Sequence, residues 1–217
     1  MPQSSATLPK DWFPRRRVSA PASERFVPIR SSVDAIRRIA GHLAGDNRVV
    51  VLYGPQGTGR STIARRVGSL WSGPVSILDQ PPSKYDPDVA FASQSRKLSS
   101  DRSRGVSLRV IDALTLDHAD WSAHLAEELP PWQKALVVSS TAWWLEFGRY
   151  LPVRVSGVTT NWLDSDEIAH LINAIRWMRD PNAQAVDPDF VTKVADASEG
   201  RISEILRMAG MEPDRIR

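Results

Sequence analysis

The sequence contains no cysteine. This absence excludes a scaffold held by disulfides and any metal site built on thiolates. Four histidines are present, but none has the spacing of HExxH or a similar metal-binding motif. No run of about 18 apolar residues occurs, so the sequence predicts no membrane-spanning helix. No apolar segment follows the first charged residues either, so no secretory signal is expected and the cytoplasm is the expected compartment.

The length and apolar content favour one folded core with a small addition. The chain has 217 residues, of which 41% are hydrophobic, and a net charge of +3. Such a length is enough for one α/β core and a small helical subdomain. Residues 1–25 hold five positive and two negative side chains, which accounts for the whole net charge. Because this segment is also rich in Pro, Ser and Ala, it is predicted to be a flexible basic arm.

Apolar, β-branched segments alternate with helical patterns through the middle of the chain. The first segment, 49–53, is apolar at every position, which is typical of a strand buried on both faces of a parallel sheet. Further strands are predicted at 75–78, 106–111, 135–138 and 153–155. Helices are predicted from about residue 60 to 71, around 121–129 and around 142–149. Alternation of this kind indicates an α/β fold in which helices cover both faces of a parallel sheet.

The two ends of this region are predicted to be helical. An amphipathic helix is expected from Ser32 to Leu43, with Ser31 or Ser32 as its N-cap. After residue 155 only helical patterns remain, at 165–178 behind an Asp164/Ser165 cap, near 190–194 and at 202–209. We therefore expect an α/β domain at 26–160 and a helical subdomain at 161–217.

The sharpest motif follows the first predicted strand directly. Its residues are Gly54, Pro55, Gln56, Gly57, Thr58, Gly59, Arg60, Ser61 and Thr62. They approach the phosphate-binding pattern GxxxxGK[ST], in which glycines let backbone amides turn inward around phosphate groups. The following helix adds the partial positive charge of its N-terminus. Ser61 occupies the position whose hydroxyl binds Mg²⁺ in such loops, so the motif predicts a nucleotide site with a metal ligand.

The loop departs from the pattern at Arg60, where a lysine is usual. Arginine keeps the positive charge but replaces a compact ammonium group with a larger planar one. The charge of Arg60 would therefore lie away from the position of the lysine charge. Because a displacement of about 1 Å can lower a reaction rate on the order of 100-fold, hydrolysis should be weakened more than binding. The alternative is a degenerate loop that keeps the turn without a ligand.

An acidic residue ends the third predicted strand. Asp112 occupies the place where P-loop proteins carry an aspartate that helps hold Mg²⁺. The next residue is Ala113, although a glutamate that activates water is common there. Asp117, Asp120 or Glu127 could replace this glutamate, although nothing in their spacing requires it. The alternative for Asp112 is an ordinary acid in the turn after a strand.

Hydroxyl residues follow the fourth predicted strand. Ser139, at the start of the segment 139–141, is a catalytic candidate that would sense a γ-phosphate or position a water molecule. A helix N-cap for the segment starting at Ala142 is an equally good interpretation of these hydroxyls.

Taken together, the sequence resembles AAA+ and STAND-type ATPases over about residues 25–210. The resemblance rests on Phe26-Val27-Pro28-Ile29-Arg30, the glycine loop, Asp112, the polar strand end and the segment 198–202. It implies the three-layer P-loop NTPase fold with a small C-terminal helical lid, and it implies ATP and Mg²⁺ as ligands. It also implies a sensing arginine in the lid, which Arg201 matches. Arg149 falls where an arginine finger to a neighbouring subunit would lie, with a solvated arginine as the alternative.

Within this group the lid segment is similar to that of small DNA-associated ATPases. These include helper and target-selection ATPases of transposition and the origin-recognition group, which oligomerise with ATP and act on a partner. The predicted function is an ATP-binding switch or weak ATPase that assembles with itself, a partner protein or DNA. The alternative is a catalytically inactive P-loop adaptor or assembly subunit.

Two basic stretches stand outside the predicted nucleotide site. They comprise Arg15, Arg16 and Arg17 in the arm, and Arg96, Lys97, Arg102 and Arg104 in the middle of the chain. Arginine and lysine bind phosphate backbones through counterion release, so nonspecific DNA contact is expected. A solubilising tail and a solvated loop are the alternative.

Overall fold

The computed structural model describes residues 26–79, 105–112, 129–146 and 153–209. The predicted basic arm, the second basic stretch and Arg149 lie outside these ranges. The same holds for Ala113 and for the three acids considered as substitutes for a glutamate there. Their roles therefore stay predictions.

Helices and strands alternate along the described chain. The helices are α1 (Arg30–Ala44), α2 (Arg60–Leu70), α3 (Thr141–Glu146), α4 (Ser165–Arg179), α5 (Pro188–Ser198) and α6 (Ile202–Met208). The strands are β1 (Val49–Gly54), β2 (Val75–Asp79), β3 (Leu108–Asp112), β4 (Lys134–Ser140) and β5 (Val155–Thr159). Among these helices none is long and apolar enough to cross a lipid bilayer.

The strands form one parallel sheet in the order β2-β3-β4-β1-β5. Strand β4 lies between β1 and β3, so the glycine loop after β1 and Asp112 at the end of β3 are two strands apart. Because all strands point the same way, their carboxyl ends share one edge of the sheet. This edge collects the loop, Asp112 and Ser139, and the parallel sheet confirms the predicted α/β class.

Alternate residues of β1 pack into two separate apolar clusters. Val50 and Leu52 contact the cluster that contains α1 and α2, whereas Val49 and Val51 contact the cluster that contains Trp143 of α3. All four side chains are completely buried. A strand buried on both faces is expected to be apolar throughout, which is why the segment shows no alternation.

The last three helices have an apolar core of their own. Side chains from α4, α5 and α6 form this cluster, and Ile29 joins it from the segment that precedes α1. Asp164 caps α4 by accepting a 2.9 Å hydrogen bond from the amide of Glu167, as predicted. We call α4–α6 the lid helices.

The N-cap predicted for α1 was wrong. The helix begins at Arg30, two residues earlier than expected, and its N-cap is Ile29 without a side-chain bond. The hydroxyl of Ser32 instead donates to the carbonyl of Ile29 at 2.8 Å. The amide of Ser31 donates to Oε1 of Glu167 at 2.6 Å, so a distant carboxylate takes the place of a local cap.

The fifth strand is also displaced from its prediction. It covers 155–159 rather than 153–155, and its middle contains Ser156 and Gly157, which have little intrinsic preference for strands. Backbone pairing with β1, such as Val51 with Gly157, sets its position. That pairing is a tertiary contact that no local pattern reveals.

Candidate functional site

The loop between β1 and α2 is built on glycines with left-handed backbone. Gly57 and Gly59 have φ angles of 86° and 76°, and Gly59 is the N-cap of α2 without a side-chain bond. The positive φ at Gly59 favours glycine, and a β-carbon there would lie 2.9 Å from Cδ1 of Ile202, which would have to shift. The N-terminus of α2 therefore opens directly from the loop, where its amides favour an anion.

A threonine at the end of β5 braces the start of this loop. Oγ1 of Thr160 lies 2.7 Å from Oγ1 of Thr58, which in turn donates to the carbonyl of Pro55 at 2.9 Å. Either hydroxyl can be the donor of this pair, because the carbonyl of Tyr53 lies 3.4 Å from Oγ1 of Thr160 as a second acceptor. A β-carbon at Gly54 would overlap the carbonyl oxygen of Thr160. Sequence reasoning missed Thr160, because only the β1–β5 pairing brings it to the loop.

The two predicted metal ligands contact each other. The hydroxyl of Ser61 donates to Oδ1 of Asp112 at 2.8 Å. A third side chain joins them, since Nη2 of Arg65 lies 3.5 Å from Oδ2 of the same carboxylate. Asp112 is only 9% exposed. Sequence reasoning did not single out Arg65, although its place one helical turn after Ser61 is a usable signal.

Arg60 reaches from the loop to the end of β4. Its Nη1 donates a hydrogen bond to the carbonyl oxygen of Ser139. Burial lowers the pKa of the Arg60 guanidinium from its ordinary value, and the negative charge of Asp112 opposes this effect. A guanidinium remains a cation at neutral pH, so a positive charge stands at the position of the usual lysine.

The hydroxyl groups of Ser139 and Ser140, the last two residues of β4, have different hydrogen-bond partners. Oγ of Ser140 accepts the amide of Trp143 at 3.1 Å and thereby caps α3. Oγ of Ser139, whose residue is 2% exposed, donates to the neighbouring carbonyl of Ser140 at 3.1 Å. The N-cap is therefore Ser140, and Ser139 presents its carbonyl to Arg60.

The N-terminal turn of α6 rests on the glycine loop. The amide of Ile202 donates to the carbonyl of Gly57 at 2.8 Å. A β-carbon at Gly57 would lie 3.3 Å from Cβ of Arg201, so the stem of this arginine runs close to the loop. The guanidinium of Arg201 forms an ion pair with Glu199. The predicted sensor arginine is thus beside the loop and engaged by a lid carboxylate.

A mainly apolar cavity of about 70 Å³ adjoins the loop. It lies between the segment before α1, the first turns of α2 and the lid helices. Its walls comprise Phe26, Val27, Ile29, Ser32, Thr58, Gly59, Thr62, Ile63, Leu171, Ile202 and Leu206. Thr62 was a predicted binding residue, whereas the contributions of Leu171 and Leu206 were not foreseen. An apolar wall beside the glycine loop would suit a flat apolar group next to a phosphate chain.

The residues at the loop fit a magnesium ion that is shared with phosphates. Mg²⁺ prefers oxygen ligands, keeps several waters and uses one or two carboxylates together with substrate phosphates. The Ser61 hydroxyl and the Asp112 carboxylate supply that kind of donor. Over the described ranges, no three His, Asp or Glu side chains gather into a site able to hold a metal by themselves.

Comparison with known proteins yields a weak structural similarity at low identity. No protein-family model matches the sequence, and no curated protein matches it significantly. One solved structure that it resembles is a STAND protein, a signal transduction ATPase with a tetratricopeptide repeat sensor, from Pyrococcus horikoshii. The TM-score is 0.47 at 12% identity, covering 86% of this chain and 31% of that one. The α/β assignment rests instead on the parallel sheet and the strand–glycine loop–helix described above.

Proposed function

We propose that this protein binds ATP with Mg²⁺ at the loop between β1 and α2, and that the lid helices respond to the nucleotide. The observation that carries the proposal is the direct contact between loop and lid. The amide of Ile202 donates a hydrogen bond to the carbonyl of Gly57, and the side chain of Ile202 packs close to Gly59. A movement of the loop around phosphates would therefore displace α6.

Three neighbouring features support a nucleotide as the ligand. The loop glycines and the N-terminus of α2 offer backbone amides to phosphates. The hydroxyl of Ser61 and the carboxylate of Asp112 would hold a Mg²⁺ ion, which neutralises charge between phosphate oxygens when bound. The apolar cavity beside Thr62 and Ile63 would take the base. All three features surround one loop, which favours a nucleoside triphosphate over a simple anion.

The chemistry of the site favours a switch or a weak ATPase over an efficient enzyme. Arg60 is larger than the usual lysine and bonds the carbonyl of Ser139. Ala113 follows Asp112 where a water-activating glutamate is common. Both departures affect hydrolysis more than binding, because binding tolerates small displacements better than a transition state does.

Assembly belongs to the same proposal, with support from the sequence alone. Arg149 would reach a neighbouring subunit as an arginine finger. The basic residues of the arm and of the second stretch would contact DNA without sequence preference. ATP-dependent self-association or partner binding is therefore expected.

An inactive adaptor is the second candidate, and one observation favours it. Polar side chains of the site contact other protein groups, since Arg60 bonds the carbonyl of Ser139 and both oxygens of Asp112 are engaged. Under this alternative the protein would contact its partner equally well with or without nucleotide.

A melting experiment separates the two candidates. The protein is titrated with ATP and with ADP, with and without Mg²⁺, and the melting temperature is followed. Binding to the native state raises stability by about 2.7 kcal/mol at a ligand concentration 100 times Kd. The Gly59→Asp variant should lose this shift, because a side chain there faces strained φ and Ile202.

Gly41→Asp is the matched control for that variant. Gly41 lies in α1, and a β-carbon added there would have no neighbouring atom within 4 Å, so this change adds the same charge away from the site. Its melting shift should equal that of the wild type. No shift with millimolar nucleotide in the wild type, or an equal shift in Gly59→Asp, would refute nucleotide binding at this loop.

A further inference from the structure

Arg65 places a positive charge beside the carboxylate of Asp112, the predicted metal ligand. It lies four residues after Ser61 in α2, on the same side of the helix. Ser61 engages Oδ1 of Asp112 at 2.8 Å, and Arg65 pairs with Oδ2 at 3.5 Å. One helix thus contacts both oxygens of the carboxylate.

The burial of Asp112 strengthens its ion pair with Arg65. Asp112 is 9% exposed and Arg65 is 38% exposed. A carboxylate removed from water to this degree needs a positive partner, and that partner is screened less than on an open surface. The charge of Arg60 also acts on Asp112 from the loop side. Asp112 is therefore paired with the guanidinium of Arg65 and also feels the positive charge of Arg60.

We propose that Arg65 and a divalent cation compete for Asp112, so that the site binds nucleotide phosphates with little dependence on Mg²⁺. This inference rests on the proposed nucleotide site, and it makes Mg²⁺ an optional ligand there rather than a required one. A Mg²⁺ ion near Asp112 would share the carboxylate with a guanidinium and meet the repulsion of a like charge. Phosphate oxygens, by contrast, are good hydrogen-bond acceptors for arginine. A nucleotide without Mg²⁺ would therefore meet a site that already carries the positive side chains of Arg60 and Arg65.

The test compares metal dependence in the full-length protein and two variants. The Kd for ATP is measured by titration calorimetry with excess Mg²⁺ and with EDTA. In the wild type the two values should differ by less than roughly threefold, whereas in Arg65→Gln they should differ by about tenfold, which is the factor that one moderate ion pair supplies. Arg37→Gln is the matched control, because it removes an arginine from an exposed ion pair away from the site. Nη1 of Arg37 lies 3.4 Å from Oδ1 of Asp34 on α1. It should behave as the wild type.

A second measurement uses the metal alone. The melting temperature of the nucleotide-free protein is recorded as Mg²⁺ is raised. Arg65→Gln should gain stability with Mg²⁺, since Asp112 has lost its ion pair with Arg65, while the wild type and Arg37→Gln should respond weakly.

The outcomes separate the two proposals. An equal Mg²⁺ dependence in Arg65→Gln and the wild type, or a wild type that binds ATP only with Mg²⁺, would overturn the competition. Failure of every protein to bind ATP, together with a selective Mg²⁺ response of Arg65→Gln, would refute the nucleotide site and leave the competition for Asp112 standing.

Discussion

The hydroxyl of Ser61 donates a 2.8 Å hydrogen bond to Oδ1 of Asp112. This bond joins the first turn of α2 to the end of β3, across the intervening strand β4. It ties the glycine loop to the sheet edge and brings two groups with magnesium-binding chemistry into contact. Its removal is the most direct test of how the site is held together.

Replacing Ser61 with alanine should lower the stability of the protein. Asp112 is nearly buried and would lose a hydrogen-bond donor, which costs about 1–3 kcal/mol in the free energy of unfolding. Urea unfolding with and without the substitution measures the loss. Ser69→Ala is the control, because Ser69 lies on the same helix and donates only to the nearby carbonyl of Arg66. Equal losses in both variants would contradict a special role for the bond to Asp112.

Replacing Arg60 with lysine should raise ATP turnover more than ATP affinity. The shorter, compact ammonium group would leave the carbonyl of Ser139 and take the position usual in phosphate loops. We expect the hydrolysis rate to rise by about tenfold, within the range that a displacement of about 1 Å costs. Phosphate release and calorimetric Kd values check this. Unchanged rates at saturating ATP would show that Arg60 does not limit turnover.

Filling the apolar cavity should weaken binding of ATP but not of tripolyphosphate. Val27 lies on the cavity wall and is half-buried, so Val27→Trp places an indole where the base would lie. An affinity loss of about tenfold corresponds to the removal of one moderate apolar contact. Tripolyphosphate has no base and serves as the internal control in the same calorimeter. If both ligands lose affinity equally, the cavity is not the base site.

Two glycine substitutions should change stability in opposite directions. Gly200 has a φ of 75°, and a β-carbon there would lie 2.5 Å from the carbonyl oxygen of Leu163, so Gly200→Ala should destabilise the protein. Strain of this kind costs about 1–3 kcal/mol. Gly41 lies inside α1 with open space around it, and Gly41→Ala should stabilise by about 0.5–1 kcal/mol. Thermal unfolding of both variants decides the matter, and a shift of the same sign in both would contradict this account.

The strands and the glycine loop were predictable because their signals are local. A strand such as β1 must be apolar at successive positions when both its faces are covered. The glycines of the loop and the polar residues near the strand ends could likewise be found by their spacing. Prediction failed where a partner came from far away in the sequence. Glu167 satisfies the start of α1 in place of a serine, and pairing with β1 places β5 two residues later than its predicted start.

The sequence by itself determined the periodicity of the helices, the buried strands, the turn at the glycines and the chemical types near the site. Each of these follows from backbone geometry and burial within a few residues. Only the tertiary structure decided that β4 separates β1 from β3, that Thr160 braces the loop and that Arg65 pairs with Asp112. It also decided that Ile202 bonds Gly57. These contacts join residues far apart in the chain, and their geometry follows from how the sheet and the lid helices pack, which no local pattern encodes.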